Sequence, residues 1–194
     1  MSSRDFQIAL ARLIASPQLC ERTLVNEEPF FNRYSLCDRE KKRLHAVLRQ
    51  RGISACCSLY RMNRITPIYT QLSNTSLLLN DDLVPLVEEF WLLHADTSLQ
   101  FREEVSEFGR FLMAKIDQKV VRLPYLKEVL LLEITLNKLS YLPEGELLYI
   151  KFDYDIYEIL QSLNNGSLKS AIIHPASTLY KLSLRNQKVQ MEVI

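Results

Sequence analysis

The chain has 194 residues, 47% of them apolar, with 24 basic against 23 acidic side chains and a formal charge of +1. That apolar share is enough for a core and excludes a disordered chain, and the balanced charge excludes a polybasic nucleic-acid arm or an electrostatic membrane patch. Glu88, Glu89 and Glu133 interrupt the long apolar runs, so no window offers the roughly 18 uncharged apolar residues of a membrane span.

From the N-terminus, "RDFQIALARLIA" places Phe6, Leu10, Leu13 and Ile14 on one helical stripe. Asp5 and Arg12 fall where a secretion signal wants an unbroken apolar core. The expectation is a soluble, cytoplasmic protein. Pro17 suits the first turn of a second helix. "SLCDREKKRLHAVLRQRG" predicts a helix with a capping box from Ser35 to Asp38 and a stop at Gly52. "ISACCSLYRMNRITPIYTQLS" continues helically until Pro67 ends or kinks it. "NDDLVPLVEEFWLLHAD" begins with good caps and tolerates Pro85 early. "SLQFREEVSEFGRFLMAKI" repeats Phe101, Val105, Phe108, Phe111 and Leu112 at helical period. "RLPYLKEVLLLEITLNKL" is a helix apolar on nearly every side, with Pro124 suited to its first position. Packed all round, such a helix serves as a spine between a bundle and a sheet.

After Pro143 the pattern changes. "ELLYIKFDY" alternates Leu148, Ile150 and Phe152 as a strand does. "DIYEILQSLNNG" is a short helix with Asp155 as cap and Gly166 past its end, and "SAIIHP" reads as a short strand. "TLYKLSLRNQKVQMEVI" alternates on both sides of Asn186 and predicts a hairpin. The expected fold class is α+β: an N-terminal helical bundle over residues 1–142, then a small C-terminal α/β module with a β-hairpin over 143–194.

Little in this chain resembles a catalytic centre. Cys20, Cys37, Cys56 and Cys57 form no CxxC pair and read as reduced, structural thiols. His45, His94 and His174 sit on separate elements without metal-ligand spacing, and Gly52, Gly109, Gly145 and Gly166 build no phosphate loop. No catalytic residue, metal ligand or cofactor is expected in this chain. Two constellations remain. Tyr60, Arg61 and Arg64 share a helix, with the arginines three apart and so on one side. Glu133 lies in a row with Leu126, Leu130 and Asn137, where an unpaired carboxylate costs several kcal/mol. The expected partner is an arginine from the Tyr60–Arg64 helix, which makes Glu133 a structural ion pair or part of a partner interface. The last strand of the final sheet leaves two readings open: an edge that accepts an extended peptide, with Leu182, Leu184, Val189, Met191 and Val193 near the apolar pockets for its side chains, or a covered edge that merely finishes the fold.

These blocks, "LYRMNR", "FREEVSEFGRFL", "LPYLKEVLLLEITLNKL", "IKFDYDIYEILQSLNNG" and "TLYKLSLRNQKVQMEVI", resemble in order the HvfC-like family, over roughly residues 55–194. The compact members of that family are partner subunits in methanobactin and thiaglutamate biosynthesis. The resemblance implies a helical domain docked on an iron-containing TIM-barrel enzyme of the MbnB kind and a C-terminal module that binds the leader of an MbnA-like precursor peptide. The resemblance further implies that iron belongs to the partner subunit and that the pair uses dioxygen to turn precursor cysteines into an oxazolone and an adjacent thioamide. The second reading is a nucleic-acid-binding regulator, from Arg39, Lys41, Lys42, Arg43, Arg49 and Arg51, although adjacent acids dilute that patch. A self-sufficient hydrolase or transferase ranks last, because no constellation of residues supports it.

Overall fold

The computed structural model describes residues 3–50, 52–94, 101–168, 171–186 and 188–194. It is an α+β chain whose residues fall into two compact units, 1–65 and 66–194. The change of pattern at 142/143 lies inside the second unit. Cores define compact units, and here one core holds helices and sheet together.

The first unit contains α1 (Ser3–Ala15), α2 (Pro17–Val25), α3 (Glu28–Phe31), α4 (Asp38–Leu48) and the start of α5 (Gly52–Gln71). Ser16 Oγ accepts the Leu19 amide at 3.2 Å, and Pro17 opens α2 as expected. Ala9, Leu13, Phe30, Leu44 and Leu48 form the core with Cys20 and Cys57. The expected cap of α4 shifts by two residues. Glu40 reaches back to the Cys37 amide at 2.9 Å, while the Ser35 amide donates to Asp5 Oδ2 at 2.8 Å. Gly52 opens α5 rather than closing α4, which ends at Leu48.

Cys20 Sγ donates to the Leu13 carbonyl at 2.9 Å and Cys57 Sγ to the same oxygen at 3.6 Å. Burial first, then the neighbouring Cys57, pushes the Cys20 thiol up to about 12, and burial also raises Cys57. Cys37 and Cys56 are exposed. Since the thiolate is the reactive form, iodoacetamide at mildly alkaline pH should label Cys37 and Cys56 quickly and spare Cys20 and Cys57 until the chain unfolds. Peptide mass mapping over time checks this.

The division between the units falls within α5. That helix runs on through Pro67 to Gln71. Proline there removes one helical hydrogen bond, but Ile68 and Leu72 are fully buried, and their packing holds the last turn. The second unit continues with α6 (Ser73–Leu79), a 3₁₀ turn at Asn80–Asp82, α7 (Leu83–Leu93), α8 (Phe101–Asp117), α9 (Leu126–Leu139), β1 (Leu147–Tyr154), α10 (Ile156–Asn164), β2 (Pro175–Arg185) and β3 (Lys188–Val193). The expected start of α8 at Ser98 lies outside the described residues.

α9 is apolar all round because it is touched all round, by α6, α8, α10 and the sheet. Its approach to α8 is close at Gly109, where a Cβ would come within 2.6 Å of Ile134 Cδ1. Val129, Leu132 and Leu139 of α9 share one core with Ile150 and Phe152 of β1, Ile156, Ile159 and Leu163 of α10, and Tyr180 and Leu182 of β2. α9 starts at Leu126, two residues after Pro124, because Tyr125 adopts a left-handed conformation (φ 58°) before it. The Tyr125 hydroxyl accepts the Ile173 amide at 3.1 Å, and its ring meets Tyr154 edge-on. Residues 171–174 are therefore a coil tied to Tyr125 rather than the strand that "SAIIHP" suggests. β1 and α10 follow expectation: Asp155 Oδ1 accepts the Tyr157 and Glu158 amides at 2.8 and 3.1 Å, and Gly166 takes a positive φ of 67° beyond the helix. The three-stranded sheet is antiparallel in the order β1-β2-β3, and the hairpin turns at Asn186 (φ 50°).

In the first turn of α9 Glu128 is buried, and burial, then Asp153, raises its carboxyl pKa. A carboxyl with a folded pKa above its unfolded value holds its proton more tightly when folded. Its contribution is favourable below the unfolded value and is lost as pH rises through the folded one. Glu128→Gln should therefore raise Tm at neutral pH by about 2–4 °C, the shift of ~1 kcal/mol in a chain this size, and by much less in acid. Thermal melts at the two pH values check it.

Candidate functional site

Ile194 N donates to the Leu179 carbonyl at 3.0 Å, which makes Leu179 and Ile194 a hydrogen-bonded pair. Bonded and non-bonded pairs alternate along an antiparallel ladder. In the β2–β3 register, Tyr180/Val193, Leu182/Met191 and Leu184/Val189 are then the non-bonded pairs. Val189, Met191 and Val193 thus direct their N–H and C=O groups away from β2. On that outer side no described strand pairs with β3.

The same residues project side chains to the face on which Tyr180 and Leu182 join the core. Burial falls off toward the edge: Leu182 is 0% exposed, Leu184 and Met191 are half-buried, and Val189 and Val193 are 50% and 64% exposed. The result is an apolar ledge beside an unpaired row of backbone groups. Of the five residues expected to meet a peptide, Leu182 is enclosed on the central strand and supports the ledge, and Val189, Met191 and Val193 form the edge itself. On the opposite face Lys181 and Glu192 pair across the strands at 2.7 Å, which holds the register. β1, the other outer strand, breaks register between Phe152 and Tyr154, an irregularity that blunts an edge. β3 pairs without a break from Lys188 to Val193.

The second constellation is only partly assembled as expected. Arg64, 2% exposed, places its guanidinium 5.8 Å from the Tyr60 ring centroid, and Arg61 is half-buried. Glu133 finds its partners in the backbone instead of in an arginine: Oε1 accepts the Asn74 amide at 2.7 Å and Oε2 the Thr75 amide at 2.9 Å. It caps the start of α6 from a neighbouring helix, since the first amides of a helix have no internal acceptor. A sequence shows side chains, so a backbone partner 59 residues away leaves no signal in it.

Each histidine has its own setting: His45 Nδ1 meets Glu27, His94 lies on the Phe90 ring, and His174 is exposed. Among the described residues no group of three or more His, Cys, Asp or Glu side chains is placed to hold a metal, and no helix is long and apolar enough to cross a membrane. On α4, Arg39, Lys42 and Arg43 are exposed, but Glu40 is drawn into the cap; Arg51 lies outside the described residues. No family model matches the chain, and no curated protein matches it significantly.

Proposed function

We propose that this chain is an MbnC-type subunit, a non-catalytic partner that captures the leader of a ribosomal precursor peptide for an iron-dependent, dioxygen-using enzyme. The observation that carries the reading is the outer side of β3, where Val189, Met191 and Val193 offer unpaired backbone groups beside an apolar ledge. An extended peptide adds there as a fourth strand: main-chain hydrogen bonds supply affinity, and alternate side chains resting on the ledge supply selectivity. Tethering the leader holds the precursor's cysteines at high effective concentration near the partner's iron. The order of sequence blocks shared with HvfC-like proteins supports the same assignment. The partner's iron supplies the oxidation that yields oxazolone and thioamide, and this chain binds and orients.

Co-expression with an MbnB-like enzyme should give a stable one-to-one complex that carries iron and converts an MbnA-like precursor. Leader peptide labelled with a fluorophore should bind the complex with the same salt tolerance as other main-chain pairings. A lone chain that ignores both the barrel enzyme and the leader overturns the proposal. A steep loss of DNA binding with added salt would instead favour the regulator.

A further inference from the structure

A buried carboxylate is ordinarily compensated by a cation, because the charge loses its hydration. Glu133 is 6% exposed, and its described partners are two backbone amides. The helix they belong to, α6, has seven residues. Its dipole is equivalent to roughly half an elementary charge at most, and the donors described at the carboxylate are neutral amides rather than a cationic side chain.

That carboxylate stands in the wall of a cavity of about 520 Å³ between α6, α9 and α10, a volume within the range of small-ligand sites. The Asn137 carboxamide donates to Gln71 Oε1 in the same wall. This leaves Asn137 Oδ1 and a second lone pair on Gln71 as further acceptors. Leu136 and Leu160 provide apolar lining, and Tyr141 lines the cavity as well. The Tyr141 ring already holds one cation, the Arg102 guanidinium at 4.9 Å from its centroid. Acceptors around a carboxylate, with aliphatic walls alongside, complement a donor-rich cation on a hydrocarbon stem.

We propose that this cavity binds a primary ammonium or guanidinium on a short aliphatic chain, the chemistry shared by lysine and arginine side chains and small free amines. The cation sits against Glu133, with Gln71 and Asn137 accepting its remaining hydrogens, and the stem lies on Leu136 and Leu160. The site is separate from the β3 edge and does not depend on strand addition there.

The test is an NMR titration of the full chain with n-butylammonium and n-butylguanidinium, against 1-butanol and butyrate as uncharged and anionic counterparts. Saturable shifts of the Asn74 and Thr75 amides and of the Gln71 and Asn137 carboxamides are expected with both cations, with Kd on the order of 1 mM. Butanol should bind at least about tenfold more weakly, and butyrate more weakly still. Ser140→Trp, at the exposed rim, should weaken the cations about tenfold or more by filling the mouth, and Glu133→Gln should erase the preference for charge. A lysine tripeptide binding tighter than butylammonium assigns the occupant to a peptide side chain, and equal binding assigns it to a free amine; either result upholds the site. Equal binding of butanol and butylammonium, or shifts that fail to saturate or survive Ser140→Trp, overturn it. The ligand series and Ser140→Trp decide the matter even if Glu133→Gln does not fold.

Discussion

If β3 receives the leader as proposed, a chain carrying Val189→Pro is expected to fold, to dock on an MbnB-like enzyme and to lose the leader. The β2–β3 register makes the substitution selective. Val189 pairs with Leu184 in a non-bonded position, so its N–H is directed to the outer side, and proline there deletes no bond between β2 and β3. Half of its surface is exposed, so little core packing changes. An incoming strand loses one donor and meets the pyrrolidine ring where its own backbone should lie. One main-chain bond contributes about 0.5–1.5 kcal/mol net; with the steric block, leader affinity should fall roughly 10–100-fold. Gln190→Pro is the register control. Gln190 occupies a bonded pair with Ser183, so proline there removes a ladder bond and should lower Tm instead. Fluorescence polarisation with the labelled leader and thermal melts of both variants separate the outcomes. Equal leader binding by Val189→Pro and the parent chain would remove β3 as the docking edge.

The elements that could be read from the chain are those whose cause is local. The alternation of Leu148, Ile150 and Phe152, the Asp155 cap with Gly166 beyond, and the two runs around Asn186 each encode their structure within a few residues. The all-round apolarity of α9 likewise announces a helix contacted on every side, and α6, α8, α10 and the sheet provide the contacts. What stayed hidden depends on distant partners. Of the two outcomes open at Pro67, ending or kinking α5, the first does not occur, since burial of Ile68 and Leu72 outweighs one missing bond. Residues 171–174 have strand composition, but the Tyr125 hydroxyl takes the Ile173 amide, and the segment stays out of the sheet. The candidate edge was legible as a set of residues but not as a surface. Alternation placed Leu182 beside Val189 and Met191, and only the strand order shows that one lies under the core while the others border solvent.

Glu133→Ala should destabilise the second unit strongly for a change that removes no core packing. It leaves the Asn74 and Thr75 amides without acceptors in a part-buried and a buried setting, at about 1–3 kcal/mol for each unsatisfied group. Water entering from the adjoining cavity will recover part of that for Asn74, so a loss of about 3 kcal/mol is expected, or roughly 6–12 °C in Tm for a chain of this size. Glu133→Gln keeps one acceptor oxygen but turns an NH₂ toward the other amide, and should fall between parent and alanine. The mechanism can be isolated because one donor is removable. Asn74 is the second residue of α6, where proline is tolerated since the N–H has no helical partner. Asn74→Pro therefore deletes the amide that Oε1 accepts while keeping the helix. If the carboxylate acts as a cap, the losses from Glu133→Ala and Asn74→Pro overlap, and the double variant should be more stable than their sum by about 1 kcal/mol. Strict additivity in urea melts would mean that Glu133 stabilises the unit through some contact other than the α6 amides.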